Sequence, residues 1–190
     1  MINRVGEFEK VSYKQFESDL WDCCLEIEQM PKISLDTCTE SQKTEVEKQS
    51  RINYETIQIP ERKTAGSAGF DISSRISFVL APGKSVRIPT GLRVKINEGW
   101  MLAVFPRSGL GFKYRLQLDN TVGIVDSDYY NSDNEGHIFL KVTNDSKEGK
   151  DIKVDVGDRI AQAIFIPYGI TYSDHAEGER NGGFGSTGIA

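Results

Sequence analysis

The sequence predicts an all-β fold, a jelly-roll-like β-barrel, preceded by an N-terminal α-helical extension and followed by a glycine-rich C-terminal arm. Three observations carry this. From Ile57 onward apolar residues recur at every second position: Leu92, Val94 and Ile96; Ile138, Leu140 and Val142; Ile152, Val154 and Val156; Ile160, Ile164 and Ile166. That period is the signature of strands with one buried face. Turn signals at Pro82-Gly83, Asn97-Glu98-Gly99, Glu148-Gly149 and Gly157-Asp158 cut the runs short, and short strands with frequent turns imply a barrel or double-sheet sandwich. No helical spacing recurs between Ile57 and the tail, which disfavours a parallel βαβ sheet.

The elements follow in order. Residues 1–56 form the extension. Within it a helix is predicted over about 12–30, because Tyr13, Phe16, Leu20, Cys24 and Ile27 share one helical face, Ser12 and Gln15 fit a capping box, and Pro31 closes the run. From about 36 to 51 the chain is polar and almost without large apolar residues, the composition of a mobile linker or an exposed insertion. Residues 57–175 carry the barrel strands. Residues 176–190 form the arm, whose glycines lose much backbone entropy on ordering and so cannot pack as an ordinary element.

Composition narrows the function classes. At 190 residues the chain fits one domain with an accessory segment. The net charge of −5 has both signs interspersed, so no broad cationic face for duplex nucleic acid is expected. A phosphorylated ligand would have to be held by a few placed cations, amides and a metal. Cys23, Cys24 and Cys38 are an odd set with one adjacent pair, which argues against a disulfide framework and for a reducing compartment. His137 and His175 lie far from those thiols and from each other, so zinc is not expected. With no signal-peptide pattern and no apolar run of spanning length, a soluble cytoplasmic protein without membrane contact is expected.

Several stretches carry groups suited to a nucleotide. In Arg180-Asn181-Gly182-Gly183-Phe184-Gly185-Ser186-Thr187-Gly188 a cation, an aromatic ring and two adjacent hydroxyls are set among glycines that bring backbone amides close to phosphate. Between Leu118 and Asp128 a hairpin is expected, with Gly123 permitting close approach to a base edge, Asn120 offering a donor and an acceptor, and Asp126 and Asp128 on one strand face. A carboxylate beside bound phosphate can deprotonate a water. Tyr129 offers a flat wall against a deoxyribose. Arg107-Ser108-Gly109 joins a guanidinium fork to a hydroxyl and an accessible amide at a strand end. Asp71 follows a tight glycine-rich loop and could reach a hydrated metal or cap local backbone. Arg159 and Gln162 are polar groups on a core-facing strand, Arg159 being as suited to an ion pair as to a ligand.

Read in order, AGSAGFDI, PRSGLG, NTVGIVDSDY, GDRIAQAIF and RNGGFGSTG closely resemble the five motifs of the trimeric dUTP nucleotidohydrolase (dUTPase) family. The resemblance spans roughly residues 57–190. It implies hydrolysis of dUTP to dUMP and pyrophosphate with Mg²⁺, in a jelly-roll homotrimer whose sites are shared between subunits. It further implies that Asp126, with Arg107 and Gln162, does the chemistry. Asn120 and the backbone of Gly123, Ile124 and Val125 would read uracil, and Tyr129 would exclude ribonucleotides. Arg107, Ser108, Gly109 and Gln162 would grip phosphates, and Asp71 would meet the metal through water. Arg180, Phe184, Gly185, Ser186 and Thr187 would close over the ligand, while Arg159 looks like a scaffold position.

The helix and the Tyr130–Gly136 insertion look similar to variants from Gram-positive bacteria and their phages. The chain departs from the pattern after Tyr129, where Tyr130-Asn131 replaces a basic or polar residue and glycine, and at Arg180, one residue nearer Phe184 than usual. Residues 1–56 lie largely outside the family core. The same scaffold also carries dCTP deaminases, and a regulatory protein-binding role through the N-terminal segment is the reading from another class.

Overall fold

The structure, a computed structural model, describes residues 2–26 and 39–178. Its elements are β1 Gly6–Lys10, α1 Tyr13–Glu26, α2 Glu40–Glu55, β2 Phe70–Ser73, β3 Phe78–Leu80, β4 Ser85–Pro89, β5 Leu92–Ile96, β6 Trp100–Pro106, α3 Ser108–Tyr114, β7 Leu116–Leu118 and β8 Gly123–Val125. A 3₁₀ turn over Ser127–Asn131 follows, then β9 Phe139–Asn144, β10 Ile152–Val154 and β11 Arg159–Pro167.

The strands make an all-β, jelly-roll-like barrel from antiparallel sheets in the orders β2-β11-β6-β8, β4-β9-β7, β1-β5 and β10-β3. The alternation read from sequence supplies its core: Leu92, Val94, Ile96, Leu140, Val142, Ile152 and Val154 are all buried. Each large apolar side chain removed from water in this way contributes about 1.5–3 kcal/mol. All four turn glycines, Gly83, Gly99, Gly149 and Gly157, adopt positive φ, which other residues reach only with strain.

Two strand readings change. Val156 is 40% exposed in a turn and does not continue β10. In β11 a register shift between Arg159 and Ala161 brings Ala161 and Ala163 into the core beside Ile160, leaving Ile164 and Ile166 half-buried. A bulge re-aims side chains in this manner, and simple period-two counting passes over it.

The extension differs more. β1 pairs along β5, from Gly6 opposite Ile96 to Lys10 opposite Leu92, so residues ahead of the expected barrel boundary complete a barrel sheet. The expected linker is largely helix: α2 runs Glu40–Glu55 for 16 residues. It docks by polar and aromatic contacts. The Tyr13 hydroxyl lies 2.8 Å from Ser50 Oγ, Arg51 stacks 3.9 Å over the Tyr13 ring, and the Tyr54 hydroxyl donates to the Val11 carbonyl at 2.8 Å. A helix held this way has no apolar stripe for sequence to reveal. α1 does show one, with Phe16 and Leu20 buried against the barrel; the expected extent to residue 30 runs beyond the described residues. α3 is a helix of 7 residues where none was expected. No described helix is long and apolar enough to cross a membrane.

Candidate functional site

β7 and β8 were expected to pair as a hairpin. They separate instead, β7 joining β9 and β8 joining β6. The connection Asp119–Val122 therefore steps from one sheet to another, turning at Thr121 with φ 66°. Where the sheets part, a cavity of 710 Å³ opens, lined by Asn120, Gly123 and Val125, by Val104 and Leu118, and by Ile138 and Leu140 of the β9 segment. A cleft of this volume suits a small organic ligand. β8 is an edge strand, so its outer backbone N–H and C=O groups have no neighbouring strand, and its Gly123 and Val125 line the cleft. Gly123 serves packing as well, since a Cβ there would stand 3.3 Å from Val104 Cβ.

Asp126 leaves the end of β8 and caps the 3₁₀ turn in extended conformation, half-buried. Asp128 lies within that turn, so the two carboxylates do not share a strand face as expected. Tyr129 is 2% exposed, and its hydroxyl donates to the His137 carbonyl at 2.7 Å. The phenol oxygen thus points into the fold, and the ring is buried with it in the core cluster.

A second group of the expected residues gathers elsewhere. On neighbouring strands Gln162 stands opposite both Asp71 and Phe105. Asp71 is clasped by Arg107, Nε to Oδ1 at 3.5 Å, and by Arg159, Nη1 to Oδ2 at 2.9 Å. Ser108 and Gly109 are exposed in the first turn of α3, behind Arg107 as its cap residue. Amides of a first helical turn have no intrahelical acceptor and suit an anion. Asp71 and Arg159 border a separate cavity of 380 Å³.

The two groups do not meet within one chain. Val125 pairs with Leu102, near the start of β6, so Asp126 lies at that end, whereas Arg107 follows the strand's last residue, Pro106. β6 has 7 residues, which sets its ends about 20 Å apart. Arg180, Phe184, Gly185, Ser186 and Thr187 lie outside the described residues.

Among the described residues no group of three or more His, Cys, Asp or Glu side chains is arranged to hold a metal ion. The donor set that does exist suits a hydrated ion. Each Asp71 oxygen takes one arginine contact, and a carboxylate oxygen accepts two hydrogen bonds, leaving room for a metal-bound water.

Sequence reasoning missed a third set of residues, which joins the extension to the insertion after Tyr129. The Tyr130 hydroxyl donates to Glu9 at 2.7 Å, under Arg93 stacked 3.5 Å over its ring. The Glu135 carboxylate accepts the Ser12 N–H at 2.7 Å and the Ser12 hydroxyl at 2.6 Å. It thereby takes the place in the capping box that Gln15 was expected to fill, although the Ser12 hydroxyl still caps the Gln15 amide. Burial alone would raise the Glu135 carboxyl, but the hydrogen bonds from Ser12 and the nearby Arg93 charge together hold the pKa below the ordinary value. His137 is fully buried and bonds Asp19. Asp19 and Asp22 of α1 line the 710 Å³ cavity with Asp133 and Asn134. A helix face carrying two aspartates beside apolar residues was the available signal.

Gly136 makes this arrangement possible. Its φ is 69°, and a Cβ would stand 2.8 Å from the Tyr129 carbonyl oxygen and the Tyr130 Cα. Gly136→Ala is expected to cost about 3 kcal/mol through strain and backbone collision. The check is a lower denaturant midpoint at unchanged slope.

Residues 55–188 match the dUTPase family model. The deoxyuridine 5'-triphosphate nucleotidohydrolase of Lactococcus lactis is 42% identical over 135 residues, covering 70% of this chain and 89% of that protein. The dUTPase of Streptococcus mutans superposes with a TM-score of 0.54 at 34% identity, over 60% of this chain and 88% of that one. At 24% identity the fold of a dUTPase mutant from phage phi11 of S. aureus, described as coordinating a structural Mg(II) ion, matches with a TM-score of 0.53 over 65% and 92% of the two chains. The expected likeness to Gram-positive and phage forms agrees with these relatives.

Proposed function

Because the chain belongs to the dUTPase family and is a dUTP diphosphatase, we propose that its site is shared between subunits of a homotrimer, with Asp126 of one chain facing the phosphate-binding residues of another. The separation of about 20 Å along β6 supports this reading: one chain alone leaves base and phosphate grip apart. Exposed apolar side chains supply surface for association, Phe112 at 93%, Ile170 at 74% and Tyr172 at 112% relative exposure.

The observation that carries the assignment of residues is the adjacency, along one edge strand, of a ligand-sized cleft and Asp126. Uracil would enter between the sheets, read by the outer edge of β8 at Gly123, Ile124 and Val125 and by the Asn120 amide. The Tyr129 ring would stand against the deoxyribose, its hydroxyl turned inward. Asp126 would hold a water and take its proton as the water oxygen bonds to the α-phosphorus and the α–β bridging oxygen leaves with pyrophosphate. Arg107, the first-turn amides of α3 at Ser108 and Gly109, and Gln162 would neutralise and orient the phosphates, the larger part of catalysis in phosphoryl chemistry. A Mg²⁺ ion carried by the triphosphate would add charge neutralisation while keeping most of its waters. Asp71, fixed by Arg107 and Arg159, would hydrogen-bond those waters. Arg180, Phe184, Gly185, Ser186 and Thr187 are proposed to close the site, which excludes water only when substrate is present.

Pyrophosphate release with Mg²⁺ across dUTP, dTTP, dCTP and UTP tests the reading. Turnover is expected for dUTP and to fall at least about a hundredfold for the other three, since a pocket built on hydrogen bonds and a close wall discriminates strongly. Ammonia release from dCTP would point to the deaminase chemistry instead, and equal use of UTP would remove Tyr129 from sugar selection.

A further inference from the structure

We propose that Asp19, in the N-terminal extension, is a positioning residue for catalysis, acting through His137 and Tyr129 to fix the turn that begins at Asp126. Five contacts make the connection. The buried His137 ring accepts the Gly91 N–H on Nε2 at 2.8 Å. That puts its proton on Nδ1, which donates to Asp19 Oδ2 at 2.5 Å. The His137 backbone carbonyl accepts the Tyr129 hydroxyl at 2.7 Å, and Asn134 donates to the same hydroxyl at 2.9 Å. Tyr129 in turn closes the 3₁₀ turn, its N–H donating to the Asp126 carbonyl at 3.2 Å.

These contacts go beyond tethering a helix. α1 is already held to the barrel by Phe16 and Leu20, and a buried polar pair adds little net stability over apolar packing. What it adds is a defined geometry, because the groups are fixed by several hydrogen bonds and the imidazole tautomer is set by the Gly91 amide. Asp19 is oriented in its turn by Gln15 Nε2 at 2.9 Å, one turn back along the helix. The Ser12–Glu135 contact holds the same helix to the same insertion. The extension thus clasps the segment after the catalytic turn at two points, 12 with 135 and 19 with 137. A misplacement of about 1 Å in a reacting group can cost up to a hundredfold in rate.

The inference rests on the reading that Asp126 holds the attacking water, so the test separates the two. Asp19→Ala is expected to lower kcat for dUTP about tenfold with KM changed less than about twofold, because transition-state alignment is lost and ground-state binding is kept. Asp19→Asn, whose amide oxygen still accepts the His137 proton, is expected to recover most of that kcat. Leu20→Ala, which loosens the same helix and removes no polar group, serves as the control for lost stability, each variant being assayed equally far below its own Tm. Unchanged kcat in Asp19→Ala, an equal loss in Leu20→Ala, or failure of Asp19→Asn to recover would overturn the proposal. If Asp126→Asn itself keeps turnover, the underlying assignment of the base is what fails.

Discussion

Asp126→Asn is expected to reduce dUTP turnover about a thousandfold while dUTP still binds, the range lost when a positioned general base is removed. The substitution keeps the size and one acceptor oxygen, replaces the other oxygen by an NH2 donor, and removes the charge that lets the group take a proton. It is also structurally mild. Asp126 enters the 3₁₀ turn with φ −82° and ψ 160°, ordinary extended backbone, and its side chain makes no capping bond to the turn. The turn is held by backbone groups and by the anchored Tyr129 hydroxyl, neither of which the change disturbs. Pyrophosphate release gives kcat, and calorimetry with a non-hydrolysable dUTP analogue gives Kd. A Kd within about threefold of the native value beside a collapsed kcat is the pattern of an interaction made only in the transition state. Turnover within about tenfold of native would assign the water to another group.

The second large effect is complementation between two inactive variants. Arg107→Ala is expected to lose activity about a hundredfold or more, since a guanidinium on a transferring phosphate acts on the charge that develops there. The fold is expected to survive because Asp71 keeps its shorter contact to Arg159 at 2.9 Å. Mixed with Asp126→Asn under conditions that exchange subunits, each site would draw its water-holding residue from one chain and its phosphate grip from another. Random assembly of equal amounts then makes a site intact in about one case in four, half for Asp126 times half for Arg107. Recovery to roughly a quarter of native activity is the expected result. A site completed within one chain would give no recovery, and sizing of the native protein as a monomer would exclude sharing outright.

How much of this was legible in the sequence depended on the kind of signal. Leu92, Val94 and Ile96 announced β5 because burial on one face leaves a period-two trace. The glycines at 83, 99, 149 and 157 announced their turns because the backbone there needs positive φ. α2 was illegible for the opposite reason. Ser50, Asn53, Arg51 and Tyr54 dock it through hydrogen bonds and ring contacts, and polar residues that dock look like polar residues that do not. The break between β7 and β8 was hidden too, since nothing in Asn120-Thr121 tells a hairpin from a step between sheets.

The sequence by itself determined the residue chemistry: a barrel of alternating strands, five ordered motifs, and the carboxylate, guanidinium and amide groups that dUTP hydrolysis draws on. Only the tertiary structure decided which of them meet. Asp71 turned out to be clasped by Arg107 and Arg159, Asp126 to lie at the far end of β6, and Asp19 to reach His137 across 118 positions of chain. Periodicity and turn propensity act over a few residues, whereas strand register and the pairing of buried polar groups are settled by the packing of the whole barrel.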